Sequence, residues 1–252
     1  MTRVVIIGDV GGCLGQLTQA VDRFADDPET VFVQVGDLVD RGPDSAGVLA
    51  FVAERLRAPG GRWIQLLGNH EGQYVGGEPF WPQRLPDADA DLLRSWWLRE
   101  QLRVAAAVRT ADGDELLLTH AGVTFDAWRE LGEPVSAATA AELLNTRPDE
   151  LLWADRGPLW SEAGPDLYAS WLDAPAPAPF GQAHGHSTIV DFRQRSWLCE
   201  ERVRQRSTVD WAARRTITRV GMATFHAVDP KHGRDGAPSW SPLVLPGATI
   251  LA

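Results

Sequence analysis

The 252-residue chain sets 24 basic against 34 acidic side chains, a formal net charge of −10, and is 44% hydrophobic. That balance excludes a basic nucleic-acid coat or an anionic-membrane-binding surface, and the length suits one large α/β domain spanning residues 1–252 with a sizeable core. Two cysteines, Cys13 and Cys199, cannot make a disulfide framework or, unaided, a structural zinc site, which fits a reducing compartment. Apolar runs stop well short of a membrane span, and Met-Thr-Arg leads straight into Val4-Val5-Ile6-Ile7 without a signal-peptide pattern. A cytoplasmic location and no membrane partner are therefore expected.

In chain order, Val4 to Ile7 reads as a strand buried on both faces, and Leu14, Leu17, Val21 and Phe24 follow at helical spacing. Val31 to Val35 gives a second strand. Pro43 opens a helix with Ala46, Leu49, Val52 and Leu56 along one face, and Trp63 to Leu67 gives a third strand. Strand, helix, strand, helix, strand predicts right-handed crossovers and a mainly parallel sheet. From about residue 76 to 103 a Trp-rich helical insertion is expected over the sheet edge. It comprises a Phe80-Trp81-Pro82 loop and a helix over Asp89–Leu102, whose Trp96 and Trp97 read as local packing with only a hint of a planar ligand.

Arg103–Arg109 and Leu116–Thr119 form an expected hairpin around Asp112-Gly113, and Ser136 caps a short helix ending near Thr146. The alternating Ala/Pro tract from Ala174 to Pro179 reads as a stiff connector. Strands are expected over Thr188–Phe192, Arg219–Val228 and Leu243–Leu245. The arginine run through Arg193, Arg195, Arg202, Arg204 and Arg206 to Arg214 and Arg215 reads mainly as a solvated surface.

Each of the first three strands runs into a glycine followed by ligand-type side chains: Gly8-Asp9, Gly36-Asp37-Leu38-Val39-Asp40-Arg41-Gly42, and Gly68-Asn69-His70-Glu71. Binding crevices of open α/β sheets lie beyond the carboxyl ends of the strands, so these loops should converge. The hairpin adds His120-Ala121-Gly122, and the segment after the proline tract adds His184-Gly185-His186-Ser187. Four of six histidines thus follow strands or glycine turns, and only His226 and His232 do not. Asp, Asn and His without thiolate make a mixed oxygen and nitrogen donor set suited to Mn²⁺, Fe or Zn²⁺.

These motifs, in this order, resemble the series of the calcineurin-like metallophosphoesterases, and the full Gly-Asp-x-x-Asp-Arg-Gly and Gly-Asn-His-Glu forms resemble the phosphoprotein-phosphatase branch. That branch includes bacterial protein phosphatases and symmetrical diadenosine tetraphosphate hydrolases. The resemblance implies an α/β sandwich of two mixed sheets flanked by helices. It also implies two divalent ions, with Mn²⁺ preferred over Fe or Zn²⁺. In that reading Asp37 bridges the ions, Asp9 belongs to the first, and Asn69, His120 and one of His184 or His186 belong to the second. His70 is the acid for the leaving oxygen, Asp40 orients it, and Arg41 holds phosphate oxygens. The implied reaction is metal-dependent hydrolysis of phosphate mono- or diesters or anhydrides by a metal-bridged hydroxide. The substrate would be a phosphorylated small molecule, a nucleotide or a phosphoprotein, with no nucleic-acid partner.

The chain departs from the family pattern twice. The first motif normally reads Gly-Asp-x-His-Gly, and here Gly11 stands in the histidine's place. Three completions are open. His184 and His186 could each serve one metal, water or Cys13 could fill the first site, or the first site is weak, leaving a one-metal enzyme or a catalytically impaired relative that binds phosphorylated ligands or a partner. The second departure is Leu67, where many protein phosphatases carry a phosphate-gripping arginine.

Overall fold

The computed structural model describes residues 2–24, 26–231 and 239–252. The chain begins with β1 (Arg3–Ile7), α1 (Leu14–Asp22), β2 (Thr30–Gln34), α2 (Ser45–Arg57) and β3 (Trp63–Leu66). Then come α3 (Asn69–Val75), α4 (Asp87–Leu98), β4 (Leu102–Arg103), β5 (Ala105–Arg109) and β6 (Glu115–Thr119). The middle is helical, with α5 (Phe125–Glu130), α6 (Ala137–Asn145), α7 (Asp149–Leu152), a π-helical turn at Ala163–Tyr168 and α8 (Ala169–Asp173). β7 (Gly181–His184), β8 (Val190–Asp191), β9 (Ser196–Trp197), α9 (Glu201–Arg204), β10 (Ser207–Asp210), β11 (Arg215–Val220), β12 (Ala223–Ala227), β13 (Leu243–Pro246) and β14 (Thr249–Ile250) complete it. No helix among the described residues is long and apolar enough to cross a membrane.

Two mixed sheets form the body. One has the order β13-β1-β2-β3-β4, with β1, β2, β3 and β4 parallel and β13 antiparallel at the edge. The other has the order β10-β11-β12-β7-β6-β5-β14, with β6, β7 and β12 parallel at its centre. The unbroken apolar run of β1 is explained by period-2 alternation between two cores. Val4 and Ile6 join Val33, Val35 and Leu66 against Ala106, Leu116, Leu118 and Ala183 of the second sheet. Val5 and Ile7 instead face the helices, with Leu17, Val21, Val48, Leu49 and Val52.

The βαβαβ half, the hairpin of β5 and β6, and the helix capped by Ser136, whose hydroxyl accepts from the Thr139 N–H at 3.1 Å, form as the sequence predicts. Three readings need correction. Helix α2 starts at Ser45 under an Asp44 cap, with Pro43 outside it, so its buried face is Val48, Leu49, Val52 and Ala53 while Ala46 is exposed. The strand read across Arg219–Val228 is a hairpin of β11 and β12, broken where Gly221 takes φ +63°. The helix read over Asp89–Leu102 spans Asp87–Leu98, because Leu102–Arg103 pairs with β3 at the sheet edge. On it Trp96 is buried and Trp97 lies under the Arg147 guanidinium at 3.5 Å, so both pack locally. His232 lies outside the described residues.

The side chain of Asn145 ties the second sheet to its helical cover at the start of β5. Asn145 Oδ1, at the end of α6, accepts from the N–H of Val104 at 2.9 Å and Ala105 at 3.1 Å, and its Nδ2 donates to the Ala105 carbonyl at 3.0 Å. Asn145→Ala leaves those amides unpaired under the helix and should cost about 2 kcal/mol, lowering the Tm by about 4–8 °C. Thermal unfolding followed by circular dichroism checks this, and an unchanged melt would show that water satisfies the amides.

Candidate metal centre

The carboxyl ends of β1, β2 and β3 in one sheet and β6, β7 and β12 in the other open on the same side, and their loops are laced together. The N–H groups of Val10 and Gly11 both donate to the Asp37 carbonyl, at 2.9 and 2.8 Å, and Gly12 N–H donates to the Leu38 carbonyl at 2.8 Å. A buried Gln34 at the end of β2 donates to the carbonyls of Gly8 and Gly36 at 3.1 and 2.7 Å, fixing both strand exits. Gly36 takes φ +100°, and a Cβ there would strike the Gly68 backbone, so glycine is required where the second and third loops touch.

Glu71 holds these loops from beneath. Fully buried, its carboxylate accepts from the N–H groups of Asp37, Leu38, Val39 and Gly68 at 2.8 to 3.3 Å. Burial, with Asp37 alongside, pushes its carboxyl up to about 7, while its hydrogen bonds to the Leu38 and Asp37 amides pull the other way. The turn it stabilises puts three non-glycine residues in the left-handed region, Asp37 at φ 57°, Asp40 at 67° and Arg41 at 59°.

Above that turn the donor atoms converge. Asp9, Asp37 and His120 are buried, and each offers one ligand atom within 4.8 Å of the others. Asn69 Oδ1 lies 2.9 Å from His120 Nε2 and 3.3 Å from His186 Nδ1, and the two imidazoles approach to 3.2 Å. His120 donates from Nδ1 to the Val35 carbonyl at 2.9 Å, which turns the Nε2 lone pair toward the cluster. Burial lowers the His120 imidazole, and burial plus His120 push His186 down to about 3, so both rings are neutral and able to donate lone pairs. Burial alone would raise the Asp37 carboxyl, but the positive charges facing it in the acid range where a carboxylate titrates, those of His120, His70 and Arg41, outweigh burial and hold Asp37 well below the usual range. Asp9 is raised by burial and by Asp229 and Asp37, while its Oδ1 accepts from the His186 N–H at 2.9 Å. Buried carboxylates, an amide oxygen and neutral imidazoles facing one point fit a divalent ion of the family's kind.

His184 is not brought into this cluster. It sits in β7 with both ring nitrogens engaged, Nε2 with the Tyr168 hydroxyl at 2.9 Å and Nδ1 with the Gly185 carbonyl at 3.0 Å. Burial pushes it down to about 4, keeping it a neutral core histidine. After the Gly185 turn, His186 takes φ 61° and points into the cluster instead. The alternation of the two histidines between two metals, open in the sequence, is therefore not what the geometry supports. Cys13 is buried beside the Gly11–Gly12 turn, its Sγ 3.7 Å from the Gly11 carbonyl, and it does not join the ligand atoms that Asp9, Asp37 and His120 bring together.

Beside the donors lies a buried His–Asp pair. His70 Nδ1 contacts Asp40 Oδ2 at 2.6 Å, and Gln73 Nε2 donates to the same carboxylate at 3.3 Å. Burial lowers the His70 pKa, but Asp37 and the Asp40 hydrogen bond outweigh it and raise the imidazole above its ordinary value. Arg41 Nη2 donates to His70 Nε2 at 3.0 Å and lies 3.3 Å from Asp37, with Nη1 3.7 Å from Asp9.

The sequence did not reveal the aromatic wall. Phe80 and Trp81 from the loop before α4 lie 5.0 and 4.8 Å from the His70 ring, and Trp160 lies 4.9 Å from Phe80 and 6.2 Å from His186. Gln73 also escaped notice, although its Oε1 accepts from Arg84 at 2.8 Å and so ties the aromatic loop to Asp40. Only the proximity of Phe80-Trp81 to the third motif could have signalled either. In the arginine run, Arg202 pairs with Asp173 and Glu200 at the surface, as expected, but Arg214 is buried and donates to the Pro230 carbonyl at 2.6 Å.

Residues 2–215 match the family described as calcineurin-like phosphoesterase. The chain is 35% identical over 245 residues to a symmetrical bis(5'-nucleosyl)-tetraphosphatase of Paracidovorax citrulli, covering 75% of this chain and 83% of that protein. It is 36% identical over 129 residues to the protein of the same name from Erwinia tasmaniensis, covering 47% of this chain and 44% of the relative. The chain spans about half the length of several such relatives. A cold-active protein-tyrosine phosphatase of a psychrophilic Shewanella aligns over 100% of this chain and 81% of its own, with TM-score 0.57 and 17% identity, a likeness of fold alone. The chain belongs to the calcineurin-like phosphoesterase family.

Proposed function

We propose that the protein is a metal-dependent phosphatase-type hydrolase of phosphate esters or anhydrides. The observation that carries this is the convergence of Asp9, Asp37 and His120, with Asn69 and His186 in contact with His120, beside the Asp40–His70 pair and Arg41. Asp37, Asn69, His120 and His186 would hold one divalent ion, and Asp9 with Asp37 would hold another, Mn²⁺ being the first choice and Fe or Zn²⁺ the alternatives. Bound there, such ions supply an activated water and charge to offset the phosphoryl oxygens. The chain's own residues do the rest. Arg41 grips phosphate with a planar fork. His70, oriented through Nδ1 by Asp40, presents Nε2 to the leaving oxygen and protonates it. Glu71 keeps the loops rigid. The catalytically impaired alternative is not favoured, because this acid pair and donor set are built and buried.

Phe80, Trp81 and Trp160 add a cluster of aromatic rings, packed edge-to-face or tilted, beside His70. They support a substrate whose phosphate carries a planar ring, such as a nucleotide or dinucleoside polyphosphate, in preference to a bare sugar phosphate.

Purified protein with Mn²⁺ should hydrolyse an aryl phosphate, and within a panel of nucleotides, dinucleoside polyphosphates and phosphopeptides it should favour ring-bearing substrates. No turnover across the panel would overturn the reading. Asp37→Asn should abolish turnover more completely than any other polar change, since it weakens both ions at once.

His70→Asn should keep metal but lose about 10²–10⁴-fold in rate, less for good leaving groups that need little protonation. Asp40→Asn should move the alkaline limb of the rate profile to lower pH, because the carboxylate that raises the His70 pKa is gone. A fall in metal content with His70→Asn would make it a ligand instead.

His186→Ala should lower the metal content measured by elemental analysis, whereas His184→Ala should lower the Tm and leave metal content unchanged. Equal metal loss in both would return His184 to the ligand set.

A further inference from the structure

Gly11 removes a nitrogen donor from the Asp9 side of the centre, and the space above it is used by something else. A Cβ at position 11 would sit 3.6 Å from both Cβ and Cδ of Arg41, so the arginine stem lies over the glycine. From there the guanidinium reaches both carboxylates of the first site, Asp9 at 3.7 Å and Asp37 at 3.3 Å. A charge-assisted N–H···O⁻ contact ordinarily closes to about 2.7–2.9 Å. The guanidinium is therefore attracted to the pair without forming the tight bidentate fork that would lock it there. Its side chain is 25% exposed, while Asp9 and Asp37 are 3% and 0% exposed, so it stands between the carboxylates and the solvent from which phosphate arrives.

We propose that Arg41 is a built-in competitor of the first-site metal ion: its guanidinium occupies the Asp9–Asp37 pair in the resting protein and leaves it for the phosphate of the substrate. This rests on the metal-dependent reading above and deepens it. A positive guanidinium and a dication cannot share two carboxylates without mutual repulsion, so one enters as the other leaves. A phosphate dianion offers the guanidinium the bidentate partner that the carboxylates do not. The ion at Asp37, Asn69, His120 and His186 is resident, and the ion at Asp9 and Asp37 enters together with substrate. Gly11 is the residue that permits this, because an imidazole in its place would contest the arginine's seat as well as donate to the ion. The same movement withdraws Nη2 from His70 Nε2 and exposes that nitrogen to the leaving group.

The test counts ions. Mn²⁺ is titrated into the metal-free 252-residue chain while the free Mn²⁺ signal is read by electron paramagnetic resonance, with and without saturating inorganic phosphate. Wild type should bind one ion tightly and a second at least about tenfold more weakly, and phosphate should tighten the second by about tenfold or more. Phosphate tightens a metal in any centre where it is a ligand, so Arg41→Ala decides. Without phosphate that variant should bind the second ion about tenfold more tightly than wild type, and phosphate should then tighten it by clearly less than it does in wild type, leaving only its effect as a ligand. Gly11→His should tighten the second ion in the same direction, and Gly11→Ala should do so less. Arg41→Gln, which keeps the stem and drops the charge, replaces Arg41→Ala if the latter does not fold. Two tight ions in phosphate-free wild type, or an unchanged second constant in both Arg41 variants, would overturn the competitor while leaving the metal centre intact. No bound ion in any form would overturn the metal-centre reading itself and the competitor with it.

Discussion

One buried carboxylate makes the rest of this site possible. Glu71 accepts the N–H groups of Asp37, Leu38, Val39 and Gly68, so a single side chain closes the exits of two adjacent parallel strands. These four hydrogen bonds to one buried carboxyl group hold in place the left-handed backbone at Asp37, Asp40 and Arg41, which costs about 1–3 kcal/mol per residue. That backbone in turn aims the three side chains differently: Asp37 into the donor cluster, Asp40 at His70, Arg41 across both. The strain sits where the chemistry is, and the carboxylate that sustains it touches no reacting atom.

The sandwich then supplies the other half of the centre. Asp9, Asp37 and Asn69 come from one sheet, while His120 and His186 come from the other, and the register of β6 with β7 puts Thr119 opposite His184, one residue before each loop. Gly8 is in such close contact with the Val228 backbone that any Cβ would collide, which shows how tightly the two sheet ends are drawn together. Parallel strands place all these exits at one end, so the donors meet through topology rather than through sequence proximity.

Much of this was legible in the chain. Glycines after apolar runs, with Asp, Asn and His behind them, located the loops, and β-branched runs located the strands. What failed shares a cause: the sequence shows spacing but not direction. His184 and His186 stand two apart, which in a continuous strand would put them on one face; the turn at Gly185 separates them, one into the core against Tyr168 and one into the cluster. Arg219–Val228 reads as one strand, and only the positive φ of Gly221 and the pairing of β11 with β12 reveal a hairpin. The Trp pair that drew attention, Trp96 and Trp97, packs inside α4, while the aromatics beside His70 come from Phe80, Trp81 and the distant Trp160. Glu71 was visible as part of a motif, yet its role depends on amides 32 to 34 residues away.

The charges around the centre give the glycine at position 11 a physical setting. Asp9, Asp37 and Asp229 act on one another and on Arg41, and Lys231 pairs with Asp229 at 3.3 Å while its ammonium donates to the His186 carbonyl at 3.2 Å. Among Asp9, Asp37, Asp229, Arg41 and Lys231 the carboxylates exceed the cations by one, and Glu71 adds to the negative field at Arg41. Each dication moves this balance two charges toward positive, so a second ion at Asp9 with Arg41 still in place meets the guanidinium's like charge in a buried setting where like charges repel strongly. The chain's own cation and the ion are thus alternatives at the same carboxylates, and phosphate, by drawing the guanidinium outward and adding two negative charges, is what makes room for both.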